Sequence, residues 1–514
     1  MSVNQAMSIT LDSMKNNQMA LSVVSHNIAN LNTKGYVKER VDFSEDRFSV
    51  NSNSAISKIR AMNGADIASL TNYADNAKFK GVVNSNTDAQ YYNGLADALS
   101  DLEDVADDLG DNGLNALLND FFTASANLEQ FPSDLSTRQQ YIMALDNVCD
   151  KFNYITDRYD SIQDEQYQEV SEAAFNLNSL FNDLATLNLA HVKSGQSSAT
   201  QSQINEILSE ISSYGNISYT QNSNGSYNLN FAGVDVVRGN EVLYEVTSDF
   251  DKDATEPLTI SLKSIKEGGS ININEQINTG SLKGKIDFLN GTSSTVGFST
   301  VSDMKAAIKS AENAFANALN EIQTYKDTSD GNKIYAAYIT SKDGNLVLAA
   351  DENDPTIPAT PPELLVFDSN GKIKVNSEVM ENPFYVAAAR IDLNNYEEGE
   401  DWTQSIGNAD NAGYMTALQN EKICSFGSGT NNCTLSQFLI NNAAKNGMDL
   451  ASMENKAELY QGIADQSAND YNDAVGVNLD EELADMIKYQ RAFEASAAVF
   501  SAANNMMQLI INMV

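Results

Sequence analysis

Histidine, cysteine, proline and tryptophan are scarce in this 514-residue chain, with two, three, seven and one copies. Two histidines and three cysteines cannot build several metal sites, and no zinc-type ligand spacing occurs, so neither a metal nor a cofactor is expected. Disulfides cannot be the main support of so long a chain. Basic residues are also in deficit: 32 Lys and Arg stand against 70 Asp and Glu, a net charge of −38. A chain of that balance has no cationic footprint for phosphate backbones or anionic lipid, which excludes nucleic-acid binding as its main activity. No stretch reaches the roughly 20 apolar residues that a bilayer core requires, so no membrane span is expected. The nearest approach, residues 496–514, carries Asn504, Asn505, Gln508 and Asn512. The first residues lack both a basic segment and an uninterrupted apolar run, so no cleaved signal peptide is read there.

What is present is a folding composition, 42% hydrophobic and 20% charged, in a length that predicts about three domains. The two ends are the most patterned parts. Met7, Leu11, Met14, Leu21, Val24 and Ile28 recur at helical spacing, and turn residues end that helix between Asn30 and Gly35. At the other end Leu479, Leu483, Met486, Gln490, Phe493, Ala497, Phe500, Asn504, Met507, Ile511 and Val514 alternate in steps of four and three, a heptad seam. Asn478 with Glu481 predicts a cap and capping box at its start. Residues 1–33 contain only Asp12 and Lys15 as charges, and residues 496–514 contain none. A helix facing bulk water carries Glu and Lys, so these Asn, Gln and Ser faces imply burial against other uncharged surfaces, as in an array of identical helices. An ordinary antiparallel pair of terminal helices closing a globular domain fits the same pattern.

Between the ends, residues 88–202 read as helical, with Leu95 to Leu109, Leu114 to Leu128 and a long run from Leu135 to Leu189, broken at Pro132. After a helix at Ile204 to Ile211, alternation of period two takes over around an Asn224-Gly225 turn, and residues 212–285 read as an all-β insertion. Helix returns from Val301 to Tyr325. A second β-rich stretch, 331–399, carries Asp343-Gly344 and Asn370-Gly371 turns, and helical periods return from Ala409 to Asn420 and from Leu435 to Ala474. The fold class read from this is multidomain, mainly α with β insertions. Its expected parts are a terminal helical domain (1–45 plus 475–514), a helical core (46–211, 286–330 and 400–474), the β insertion 212–285 and the second β-rich segment 331–399.

Catalytic patterns are missing. Asp249, Asp251 and Asp253 have calcium-loop spacing, but Ala254 and Ile260 stand where Gly and Glu are needed. No nucleophile elbow or phosphate-binding glycine motif occurs, so no enzyme is expected. His26 reads as a polar packing residue, and His191 as a complement to a helix C-terminus. Cys149 reads as a small buried hydrophobe. Cys424 and Cys433 bracket a loop flexible enough to let them meet, which leaves a disulfide open in an oxidising setting. The single tryptophan, Trp402, reads as a domain anchor.

The run Ser25-His26-Asn27-Ile28-Ala29-Asn30-Leu31-Asn32-Thr33-Lys34-Gly35-Tyr36 resembles a signature of the bacterial flagellar axial proteins, with Lys34 where many members have proline. Val477-Asn478-Leu479-Asp480-Glu481-Glu482 and Tyr489-Gln490-Arg491-Ala492-Phe493-Glu494-Ala495-Ser496-Ala497 resemble that family's C-terminal blocks, the first in the form found at the hook–filament junction. Pro132-Ser133-Asp134 with Arg138, Gly280 to Leu289, and Asn408-Ala409-Asp410-Asn411 with Ala417-Leu418 also resemble junction-protein segments.

The resemblance implies paired terminal helices in an axial tube, a helical domain around them and β regions outside. It implies a structural subunit at the hook–filament junction and places the chain outside the cell, exported uncleaved through the flagellar type III gate. Its implied partners are further copies of itself in a ring, the hook protein, a second junction protein and a cytoplasmic chaperone at the C-terminal region. Assembly is then expected to rest on Met7, Leu11, Met14, Leu21, Val24, Ile28, Leu483, Met486, Gln490, Phe493, Ala497, Phe500, Met507 and Ile511. The motif residues are Asn27, Ile28, Ala29, Asn30, Asn32, Gly35, Tyr36, Asn478, Leu479, Asp480 and Glu481. A hook or distal-rod protein is the rival within the family, and a secreted adhesin or glycan-binding protein using the β insertions is the rival outside it.

Overall fold

A computed structural model describes residues 3–31, 36–45, 65–72, 75–106, 113–194, 197–251, 257–397, 400–427 and 430–512. Helix α1 (Val3–Ala29) is followed by an antiparallel hairpin of β1 (Glu39–Glu45) and β2 (Ala65–Asn72). Then come α2 (Asn76–Ala106), α3 (Leu114–Gln130), α4 (Leu135–Lys193) and α5 (Ser198–Tyr214). One antiparallel sheet contains β3 (Ile217–Gln221), β4 (Tyr227–Phe231), β5 (Val234–Arg238) and β6 (Glu241–Val242), and a second contains β7 (Tyr244–Phe250), β8 (Leu258–Ser264) and β9 (Ser270–Asn272). Helices α6 (Ser281–Asn290), α7 (Ser293–Val296) and α8 (Val301–Gln323) lead to β10 (Lys326–Asp327), β11 (Ile334–Ala337), β12 (Ile339–Lys342), β13 (Asn345–Leu348), β14 (Leu365–Phe367), β15 (Ile373–Val375), α9 (Ser377–Glu381) and β16 (Ala389–Asp392). The chain closes with α10 (Asp410–Ala417), α11 (Leu435–Val475) and α12 (Leu479–Asn512).

The architecture is mainly α with small sheets, as the sequence predicts. Its axis is α4, 59 residues long and so about 90 Å at 1.5 Å per residue. Asp134 starts it by accepting the Ser136 N–H, directly after the break at Pro132. Tyr141, Leu145, Phe152, Ile162, Leu177, Phe181 and Leu184 line its buried side. They join one large core with residues of α2, α3, α5, α6, α8, α10, α11 and the first two sheets. Helices α2 and α11 run antiparallel, since Phe79 meets Tyr471 with ring centroids 5.4 Å apart and Tyr92 stacks on Tyr460 at 4.6 Å. A smaller cluster around Trp402 holds Ala337, Ile339, Leu348, Ala389 and Ile391.

Asparagines fasten strands to helices by one repeated device. The side-chain amide has the same donor and acceptor as a peptide unit, so it pairs with a strand residue as another strand would. On α4, Asn153 bonds both backbone groups of Ile373, Asn178 those of Val246 and Asn188 those of Tyr227. On α8, Asn320 does the same with Leu365. Arg138, fully buried, donates to the carbonyls of Pro132, Pro383, Phe384 and Val386. Burial lowers its pKa to about 10, which still leaves it charged at neutral pH.

Three features go beyond the sequence reading. The β1–β2 hairpin lies in a stretch with no alternation strong enough to mark it. Helix α2 starts at Asn76, twelve residues before the periodic stretch, because its first half buries Ser85, Thr87 and Ala89 beside Phe79 and Val83 rather than an aliphatic stripe. Helix α6 occupies Ser281–Asn290, overlapping the end of the expected β insertion; Lys285 is buried there against Gln166 and Glu169 of α4. Gly280 before it has φ +91°, and a Cβ at that position would lie 2.6 Å from the Gly215 backbone, so only glycine fits.

Candidate assembly interface

The end of α1 is organised by one side chain. Asn27 is 1% exposed and uses its whole hydrogen-bonding capacity. Its Oδ1 accepts from the Tyr36 hydroxyl and the Glu39 N–H, both at 3.0 Å, while its Nδ2 donates to the Glu39 carbonyl at 2.9 Å and to Glu482 Oε2 at 3.1 Å. Three segments are thereby joined at one side chain: α1, the 36–39 connection and the first turn of α12. Around this hub, the Lys38 N–H donates to the Val475 carbonyl at 3.0 Å, and Lys38 Nζ meets Glu481 at 3.1 Å. His26 Nδ1 lies 3.2 Å from the Tyr36 hydroxyl, with the residue otherwise exposed.

Helices α1 and α12 are antiparallel. Ser13 meets Ser496 hydroxyl to hydroxyl at 2.9 Å, and Asn27 meets Glu482, so fourteen residues along one helix answer fourteen residues back along the other. Midway, Tyr489 packs on Ala20, Val23 and Val41. The inward positions of α12 are therefore Glu482, Tyr489 and Ser496, seven residues apart; Ala503 continues the series and is buried. Facing them on α1 are Ser13, Ala20 and Asn27. The seam is small or polar at these layers, which lets the two backbones approach closely.

This placement differs by one residue from half of the sequence-predicted seam. Met486, Phe493, Phe500 and Met507 are half-buried and belong to both patterns. The alternate positions 483, 490 and 511 are not inward: Leu483, Gln490 and Ile511 are exposed, and Ala497 is half-buried on the flank of Ser496. On α1, Val24 is buried, Met7, Met14, Leu21 and Ile28 are half-buried, and Leu11 is exposed. The register follows from matched layers: Asn27 opposite Glu482, Ala20 making room for Tyr489, and Ser13 opposite Ser496. Left outward on α12 are Leu483, Ile487, Val499, Met506, Leu509, Ile510 and Ile511, of which Ile487 is 60% and Ile511 65% exposed.

Of the motif residues, Tyr36 is buried, Asn30 half-buried and Ala29 exposed, while Asn32 and Gly35 lie outside the described residues, as does Val514. Asn478 caps α12 by accepting the Asp480 N–H at 2.9 Å and the Glu481 N–H at 3.4 Å. The expected capping box is not how Glu481 is used; its carboxylate goes to Lys38. Leu479 and Asp480 are exposed. The sequence reading passed over Ser13, Ala20, Glu482, Tyr489 and Ser496, whose signal was a seven-residue spacing of small and polar side chains. Burial is the largest influence on Glu482 and raises its pKa, against the lowering effects of Asn27 and Lys38.

Elsewhere the described residues hold no cluster of His, Cys, Asp and Glu fit for a metal ion, and no helix long and apolar enough to cross a membrane. Asp249 belongs to strand β7 and Asp251 follows it, whereas Asp253 and Ala254 lie outside the described residues. His191 does not complement the α4 terminus as a cation. It is fully buried with Nδ1 2.6 Å from the Thr200 hydroxyl, and burial lowers its pKa, so it is neutral.

Comparison with known proteins places similar sequences along the whole chain. Residues 99–334 match the family described as flagellar hook-associated protein FlgK helical domain. Residues 11–36 match the flagella basal body rod protein family and residues 469–513 the flagellar basal body rod FlgEFG protein C-terminal family. Flagellar hook-associated protein 1 of Salmonella typhimurium is 23% identical over 569 aligned residues, covering 96% of this chain and 97% of that protein. The protein of the same name from Bacillus subtilis is 31% identical over 173 residues, about a third of each chain: 33% of this one and 34% of that one. The solved flagellar hook junction protein FlgK from Burkholderia pseudomallei shares the fold, with a TM-score of 0.52, 13% identity, and coverage of 75% of this chain and 98% of that one.

Proposed function

The chain belongs to the flagellar hook-associated protein 1 family, and from that premise we infer that it is a structural subunit of the bacterial flagellum at the hook–filament junction. The observation that carries the mechanism is the division of labour on α12. Its small and polar layer is spent on α1, while its aliphatic residues stay in water in the single chain. Such a surface costs about 25 cal/mol for every Å² of apolar area left exposed. It is relieved when neighbouring subunits pack against it. The subunit is thus a folded helical body whose terminal pair is completed by assembly.

The finer parts of the reading follow from the family. Copies form a ring, the hook protein lies on one side and a second junction protein on the other. A cytoplasmic chaperone covers the C-terminal region before uncleaved export through the type III gate, and the role is structural rather than enzymatic. The rival hook or rod reading is weakened because rod-type similarity is confined to the termini, whereas residues 99–334 match the hook-associated helical domain.

The test is Ile487→Asp combined with Met506→Asp, both at exposed positions. The purified variant should keep the wild-type circular dichroism and unfolding midpoint, yet fail to restore filament attachment in a strain lacking the chain. Normal attachment would sink the proposal.

A further inference from the structure

Between α10 and α11 the chain makes a short excursion whose two ends are cysteines. Cys424 and Cys433 face each other in an isolated antiparallel bridge, each N–H donating to the other's carbonyl at 3.2 Å. A residue pair bonded in this way has its Cα atoms about 5.5 Å apart, inside the span a disulfide bridges. Cross-strand partners also project to the same face. The Cβ atoms of such a pair lie about 5 Å apart and must close by about 1 Å to reach disulfide geometry. The bridge is isolated rather than set in a longer ladder, and next to it the loop is held by side chains: Asn432 accepts from the Phe426 N–H and donates to its carbonyl. Cys433 Sγ already lies 3.5 Å from the Cys424 carbonyl oxygen, over its partner's backbone.

The position gives closure a consequence. Cys433 precedes Thr434, whose capping box with Gln437 starts α11, and Phe426 inside the loop meets Phe438 of α11 edge-on at 6.3 Å. Both thiols are buried in the main core, as is the third cysteine, Cys149, on α4. We propose that Cys424 and Cys433 form an intrachain disulfide that clamps the start of α11. The oxidant is a small-molecule disulfide. One protein thiol loses its proton and attacks a sulfur of that disulfide, expelling one small thiolate. The second protein thiolate then displaces the other small thiolate, so the protein loses two hydrogens and the small disulfide becomes two thiols.

The experiment uses the full-length chain incubated with oxidised glutathione, quenched with acid and alkylated in denaturant without reductant. One alkylated cysteine per chain, at Cys149, with the 424–433 peptide lighter by two hydrogens, is the expected result. The closed loop should also raise the thermal unfolding midpoint by on the order of 5 °C relative to the reduced protein. That difference should vanish in Cys424→Ser/Cys433→Ser. Three alkylated cysteines, persistent glutathione adducts at either position, or disulfide-linked dimers would each overturn the assignment.

Discussion

Replacing Asn27 with Ala removes all four hydrogen bonds of the hub while leaving the helix able to form. Three of those bonds join neutral groups and one ends on the Glu482 carboxylate. Neutral bonds contribute about 1 kcal/mol each and a charged one about 1.5–3. Alanine returns up to about 0.7 kcal/mol as the better helix former. The net loss is then about 4 kcal/mol, felt at the terminal pair, whose own apolar cluster among the described residues is Ala20, Val23 and Val41 with Tyr489 against them. A loss of that size shifts the local opening equilibrium by roughly a thousand-fold. Amide hydrogen exchange read by mass spectrometry should accelerate accordingly in residues 3–31 and 479–512. Exchange in α4 should not change, because Asn27 makes none of the contacts of the large core. Terminal protection within tenfold of wild type, or loss spreading into α4, would refute the argument.

Glu482→Gln should do the opposite. Burial raises the Glu482 pKa, so ionisation of this group opposes folding, and its contribution is best below the ordinary carboxylate range and declines as pH rises through the raised value. Glutamine keeps an acceptor for Asn27, so terminal exchange should slow at neutral pH, and the difference from wild type should disappear on acidification. His191 has the reverse sign: its depressed pKa makes its contribution full above about pH 6.5 and lost as pH falls through the lower folded value. His191→Gln should flatten that limb in a series of urea titrations. Arg138→Met should lower the stability of the helical body by about 2–4 kcal/mol in urea unfolding, since four carbonyls lose their donor; an unchanged midpoint would contradict the buried-clamp reading.

Much of the helical plan could be read from spacing alone. A stripe such as Tyr141, Leu145, Phe152, Ile162 and Leu177 has one stable outcome, a helix with that side buried, whatever it packs against. Asn-Gly and Asp-Gly turns likewise declare hairpins because few other residues tolerate their backbone. Short elements with mixed composition, such as α6, and strands whose partner lies far along the chain, such as β1, carry no comparable local signal. The partners of Asn153, Asn178, Asn188 and Asn320 were equally illegible, since an amide serves a cap, a turn or a strand with the same atoms.

At the assembly interface, local chemistry determined that both ends are helices, uncharged toward their tips, and that turn residues from Asn30 onward stop the first of them. Which side of α12 turns inward was decided only in three dimensions. Hydrophobicity ranks Leu483 and Ile511 above Ser496 and Ala503, but two helices pressed together select for layers that match across the pair, polar against polar and Tyr489 against Ala20. That selection exists only once Ser13 stands opposite Ser496 and Asn27 opposite Glu482.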